Sequence, residues 1–198
     1  MITLCMDTSH IFLVLALYRD GQLLGSVQKE CWKKQSEEIF PCLETLLAEA
    51  GLQPQDIDEA AITSGPGSYT GVRIAMTIAK VMCSLRGIPL YTVPTLDLFA
   101  GNETCRVVLD ARSHRAYTAV YEAGKRISGP EALPTEEIMA ALKADDLVIG
   151  DVHLVDRPDN IPDLAARFLT VRDKWVRAEN PDLVTPEYLK SIEAYRTK

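Results

Sequence analysis

Long apolar runs are missing from this chain: the longest, residues 11–18, falls far short of the ~20 residues a membrane-spanning helix takes. Basic charge is also in short supply. Lys and Arg number 21 against 28 Asp and Glu, giving a net charge of −7 and a pI of about 5.0, a balance that repels phosphate backbones and disfavours unaided binding of nucleic acid. Cys-x-x-Cys pairs are absent. Cys5, Cys31, Cys42, Cys83 and Cys105 are scattered and odd in number, which fits a reducing compartment. Histidine is scarce too: His10, His114 and His153 have no ligand spacing, so neither a metal site nor a metal-dependent peptidase is expected. Residues 1–7 carry no basic region of the signal-peptide kind, so a cytoplasmic protein with no membrane partner is the expectation.

What remains is ordinary globular material, 47% hydrophobic and 25% charged, outside the disordered, collagenous and disulfide-stapled classes. At 198 residues the chain is near the ~150 typical of one domain, hence one large domain or two small lobes sharing a core. Residues 2–6, 11–18 and 23–28 read as a three-strand meander with a hairpin turn at Asp20-Gly21. Residues 39–50 carry apolar positions at helical spacing and stop at Gly51. Pro41 lacks the N–H for a bond to the Glu37 carbonyl, so this helix is expected to start late or bend near its beginning. A buried strand at residues 60–63, a helix at 72–85 and a strand at 88–93 follow.

Residues 96–105 are weakly patterned and mark the expected boundary between an N-terminal lobe, 1–100, and a smaller C-terminal lobe, 101–198. Asp7, Tyr18 and Gly21 recur at one offset as Asp110, Tyr121 and Gly124, which argues for duplication of one βββα-type unit. In the second lobe a strand at residues 106–109, a helix at 135–143 capped by Thr135 and a strand at 147–149 are predicted. Beyond Pro158 the pattern is poor.

Two turns are candidates for chemistry. Thr63-Ser64-Gly65-Pro66-Gly67-Ser68-Tyr69-Thr70-Gly71-Val72-Arg73 runs from a strand through a glycine-rich turn into a helix. That places backbone N–H groups where an anion binds, although the sequence is neither a P-loop nor Gly-x-Gly-x-x-Gly. The alternative is a tight turn with Ser68 or Thr70 as helix cap. Asp7-Thr8-Ser9 ends the first strand and is either a phosphate-facing turn with a carboxylate for Mg²⁺ or a buried turn in which Asp7 accepts local N–H groups. The helix at 72–85 confines Arg73, Thr77, Lys80 and Ser84 to one stripe. The rest of its surface is apolar and wider than one sheet covers, so it is either sandwiched within its own domain or shared with a partner helix.

Taken whole, TSGPGSYTGVRIAMTIAK resembles the signature of the TsaB (YeaZ) family. Further landmarks come in the same order: Met6-Asp7-Thr8-Ser9, Ser36-Glu37 with Pro41, Val93-Pro94-Thr95-Leu96, Asp110-Ala111-Arg112 with Tyr117, and Pro186-Glu187-Tyr188-Leu189. The resemblance implies an α/β, actin-like and Hsp70-like (ASKHA) duplicated fold of two lobes, each with a mixed sheet and helices. It implies a non-catalytic scaffold in tRNA N6-threonylcarbamoyladenosine (t6A) synthesis, paired with a catalytic TsaD-like subunit, supporting a TsaE-like ATPase, dimeric when alone, and reaching tRNA only through the complex. The TsaD histidines of a His-x-x-x-His helix have no counterpart at residues 93–99.

The implied partner interface lies on the first two helices, at Ile39, Leu43 and Leu46 and at Arg73, Ala75, Met76, Ala79 and Met82, with Ala75 and Ala79 allowing close approach. Asp7, Thr8, Ser9, Gly65, Gly67, Ser68, Thr70 and Gly71 are the candidate anion or nucleotide contacts. No intrinsic cofactor is expected beyond a nucleotide at the subunit junction. The competing reading is a weak actin-fold ATPase or kinase-like enzyme using Asp7 and the Gly65 turn. The sequence departs from the family at Gln35, where a histidine is frequent, and over residues 158–186, which are short and expected to lack a helix.

Overall fold

The computed structural model of the chain describes residues 1–189, which form two mixed sheets. In the first sheet, β1 (Ile2–Asp7), β2 (Phe12–Arg19) and β3 (Gln22–Glu30) make an antiparallel meander. Then β4 (Glu59–Gly65) pairs parallel to β1, β5 (Leu90–Pro94) parallel to β4, and the late β10 (Val176–Arg177) antiparallel to β5. In the second sheet β6 (Cys105–Asp110), β7 (Arg115–Glu122) and β8 (Lys125–Pro134) repeat the meander, and β9 (Val148–Gly150) lies parallel to β6. Both sheets therefore contain the order third, second, first, fourth, and the repeat read from Asp7, Tyr18 and Gly21 is a repeat of topology. Its turns match as well. Asp20-Gly21 and Ala123-Gly124 all have positive φ, the two-residue hairpin conformation whose twist suits the flanking strands.

Five layers stack in sequence. Alternate residues of β1 and β2 (Leu4, Met6, Leu13, Leu15) face α1 (Gln35–Glu49) and α2 (Tyr69–Arg86), while Cys5, Val14 and Ala16 face the interior between the sheets, as a period of two requires. Filling that interior are α3 (Thr95–Ala100) and α5 (Leu164–Thr170), and α4 (Thr135–Ala141) covers the far face of the second sheet. The repeat tyrosines anchor these inner helices crosswise. Tyr18 donates to the Ala165 carbonyl in α5, and Tyr121 donates to Asp97 Oδ1 in α3 at 2.6 Å. Burial pushes both phenols well above their ordinary pKa.

Three expectations are corrected, and one weakly patterned stretch proves to hold a helix. Of the two alternatives for the first helix, the late start is overturned: α1 begins at Gln35 and contains Pro41, the one missing bond being outweighed by the burial of Ile39, Leu43, Leu46 and Leu47 against the sheet. Thr135 is the first residue of α4, whose N-cap is Pro134 without a side-chain bond. The weakly patterned 96–105 stretch contains α3, all six of whose residues are buried, so no amphipathic period could show. The 158–186 stretch does contain a helix, α5, whose N-cap Asp163 accepts from Ala166 N at 3.0 Å. Residues 190–198 of the expected second lobe lie outside the described residues.

Candidate functional site

The turn between β1 and β2 and the glycine-rich turn before α2 clamp each other. Asp7, fully buried, accepts from Ser9 N (2.8 Å) and from the Thr63 hydroxyl through Oδ1. Thr8 Oγ1 donates to the Gly71 carbonyl (2.6 Å) and accepts from Ala75 N (3.1 Å), and Ser68 N donates to the Ser9 carbonyl (2.7 Å). The glycines serve this contact. A Cβ at Gly71 would lie 2.1 Å from the Thr8 carbonyl oxygen, and one at Gly67 2.4 Å from that of Ser9, distances at which only glycine fits. Ser68 caps α2 by accepting from Gly71 N (3.2 Å), the capping alternative read from the sequence. Asp7, Thr8, Gly67 and Gly71 are thus engaged in joining two turns, and Gly65 lies against the Glu187 backbone. Ser9, Gly67, Ser68 and Thr70 line an open cleft of about 810 Å³ between the sheets.

The opposite wall of that cleft comes from the second repeat. Asp110, Ala111, Arg112 and Ser113 occupy the place equivalent to the Asp7 turn, and Arg112, Ser113 and His114 all have positive φ, a strained conformation that surrounding contacts must hold. Asp110 supports it: its Oδ1 accepts from Arg112 N and its Oδ2 pairs with the Arg112 guanidinium at 2.8 Å. Across the cleft His10 Nε2 meets both oxygens of Asp151 at 2.9 and 3.0 Å, both side chains at least nine-tenths buried. Burial opposes ionisation of Asp151, yet the hydrogen bond and charge of His10 and the Asp110 N–H outweigh it, and the carboxyl titrates below its ordinary range. At the rim His153 Nδ1 pairs with Asp159 at 2.8 Å, which raises the imidazole pKa. Behind the cleft wall, Asp7 Oδ2, Ser9 Oγ and His10 Nδ1 are buried without a protein partner among the described residues. Gln35, where the family pattern favours histidine, is buried and donates to the His10 carbonyl at 3.0 Å.

No group of three His, Cys, Asp or Glu side chains able to hold a metal ion occurs among the described residues.

A second concavity, about 430 Å³, lies between α1 and α2 and is walled by Phe40, Tyr69, Arg73, Ile74, Thr77 and Ile78. Here the sequence reading needs its main correction. Ala75, Met76 and Ala79 are turned into the chain's own core, Ala79 at 0% exposure, together with Ile39, Leu43 and Leu46. Ala75 and Ala79 pack against the sheet rather than a partner helix. Arg73 is exposed and Met82 half-buried. The apolar residues left outside are Phe40, at 53% exposure, with Ile74 and Ile78 beside it and Val81 and Leu85 further along α2. Phe40 and the pair Ile74 and Ile78, one turn apart, were legible only as undifferentiated members of apolar stretches; His10 with Asp151 carried no spacing signal at all.

Duplicated sheets in this order, facing each other across a cleft, define the actin-like (ASKHA) class. A family model described as "TsaD: tRNA N6-adenosine threonylcarbamoyltransferase" matches residues 22–151. The tRNA threonylcarbamoyladenosine biosynthesis protein TsaB of Bacillus subtilis is 31% identical over 146 residues, 71% of this chain and 63% of that protein. TsaB of Escherichia coli is 32% identical over 126 residues, 60% of this chain and 54% of that protein. Among solved structures, YeaZ from Pseudomonas aeruginosa superposes with a TM-score of 0.73 at 25% identity, over 95% of this chain and 99% of that one. The chain belongs to this threonylcarbamoyl family, on its TsaB (YeaZ) side. Its match spans less than two thirds of the length of the curated relatives.

Proposed function

We propose that this chain is a non-catalytic scaffold of a t6A-synthesising complex, docking a TsaD-like catalytic subunit on the groove between α1 and α2 of the 1–100 lobe. The observation that carries this is the division of labour on the two helices. Each buries one face in its own core, and the faces left over converge on a groove floored by apolar side chains, the arrangement of a helix-packing site. The scaffold also supports a TsaE-like ATPase, pairs with a second copy when alone, and meets tRNA only through the complex, consistent with its net charge of −7. A nucleotide at the subunit junction would be contacted from the cleft by Ser9, Ser68 and Thr70. The chain's contribution is a higher affinity for the active arrangement of its partner.

Co-purification with the TsaD-like subunit tests this. Ile78→Glu places a carboxylate on the groove floor at a half-buried position on the edge of the core, where the charge can turn to water, so the variant is expected to stay folded by circular dichroism while the partner is lost from the pull-down. Undiminished capture by Ile78→Glu would refute the groove. Ala79→Glu is unsuitable, because that carboxylate would sit in the core. The ATPase alternative makes a separate demand: turnover of ATP with Mg²⁺ by the isolated chain, which is expected to be negligible.

A further inference from the structure

The polar stripe of α2 has an occupant within the chain. Residues 180–189 run antiparallel along it: Ser84 Oγ donates to Asp182 Oδ1 at 2.6 Å, Lys80 Nζ to the Val184 carbonyl at 2.7 Å, and Arg73 to the Tyr188 hydroxyl at 3.5 Å. This strap then crosses under the glycine-rich turn. Glu187 N donates to the Ser64 carbonyl at 2.7 Å, and the Glu187 carbonyl oxygen would lie 2.6 Å from a Cβ at Gly65. The Tyr188 ring stacks on Tyr69 with centroids 5.2 Å apart and planes 20° apart, and the Arg73 guanidinium lies over the other named ring, Tyr69, at 5.5 Å.

Tyr69 and Thr70, the first residues of α2, line both the cleft and the α1–α2 groove, and Arg73 lines the groove. An exposed Tyr and an exposed Arg on a helix surface each have several rotamers, and docking must freeze them. In this chain they are held before any partner arrives.

We infer that the C-terminal strap is a positioning element for docking, with Tyr188 acting through Tyr69 and Arg73 to fix the groove wall the partner meets. It rests on the groove reading above. The strap lies on the stripe beside the groove and leaves the apolar floor of Phe40, Ile74 and Ile78 uncovered, so it supports the partner's seat and does not compete for it.

The test compares Tyr188→Ala and Tyr188→Phe with Ile78→Glu, measuring affinity for the TsaD-like subunit by calorimetry, and amide exchange of the isolated chain. Tyr188→Ala is expected to weaken binding about tenfold, the scale of a lost aromatic stack, and to speed exchange in the first turns of α2 while the melting temperature stays close to the parent's. Tyr188→Phe keeps the stack but loses the hydroxyl that meets Arg73, and is expected to bind between the parent and Tyr188→Ala; binding as weak as that of Tyr188→Ala would overturn the role given to the stack. Unchanged affinity or unchanged exchange in Tyr188→Ala overturns the inference, and tighter binding would make the strap a competitor, overturning it as well. If Ile78→Glu also binds normally, the groove reading has failed; if Ile78→Glu abolishes binding and Tyr188→Ala does not weaken it, the strap inference alone has failed.

Discussion

Glu59, at the start of β4, is a carboxylate with 4% of its side chain exposed, and it is held at three points. Arg172 grips it with two bonds of 2.7 and 3.1 Å, and Thr3 Oγ1 donates to Oε1 at 2.8 Å. Arg172 itself lies over Trp175 at 4.1 Å and Tyr91 at 4.9 Å, so the pair ties the segment leading into β10 onto the first sheet. Arg172→Met keeps most of the stacked volume but strands the carboxylate. Removing one partner of a buried pair costs about 3–5 kcal/mol. Because the Arg172 side chain is 37% exposed, water reaches part of the site and the cost is discounted to about 2–3 kcal/mol. In a chain of this size that lowers the melting temperature by about 4–12 °C. Glu59→Gln in the same background removes the stranded charge and should recover most of the loss, a coupling that scanning calorimetry of the four proteins at pH 7 measures. If Arg172→Met melts with the parent, or the double variant loses the sum of the two singles, the pair does not hold this segment.

Three further outcomes are expected. Gly71→Ala drives a Cβ to 2.1 Å from the Thr8 carbonyl oxygen and should destabilise the fold by about 1–3 kcal/mol or more, read by urea unfolding; a stable variant would mean the two turns separate freely. His153 should titrate above an ordinary histidine by NMR and fall back toward it in Asp159→Asn. Because the folded pKa is the raised one, the pair's small contribution is present at low pH and fades as pH rises through that value. Cys83 and Cys105, whose thiols burial pushes up to about 11, should resist alkylation in the native state, while the half-buried Cys42 reacts first; equal rates for all would show that the chain opens readily.

The sequence announced those elements whose burial is one-sided or whose turns need glycine. The two meanders, the Asp20-Gly21 turn and its repeat, and α2 with its Ser68 cap all fall in this group. It concealed elements buried on every side, such as α3, and elements defined by a distant partner, such as β10 and α5. The α2 stripe shows the limit most plainly. Arg73, Lys80 and Ser84 were visible as polar positions at helical spacing, but a stripe does not tell whether it meets water, another chain or the chain's own end, and here it meets residues 182, 184 and 188. Likewise the breadth of apolar surface on α2 was a sound observation, but Ala75 and Ala79 were assigned to the wrong neighbour because small residues allow close approach to a sheet as readily as to a helix.

Tyr18 and Tyr121 hold helices that each belong to the opposite repeat: Tyr18 in the first grips α5 from the second, and Tyr121 in the second grips α3 from the first. The halves are therefore interlocked like clasped hands. Cut within residues 102–104, neither fragment would retain the helix that its own buried tyrosine needs, and each would expose a phenol and an apolar sheet face to water. Fragments of this kind should regain structure only on mixing, which makes the chain a natural split reporter.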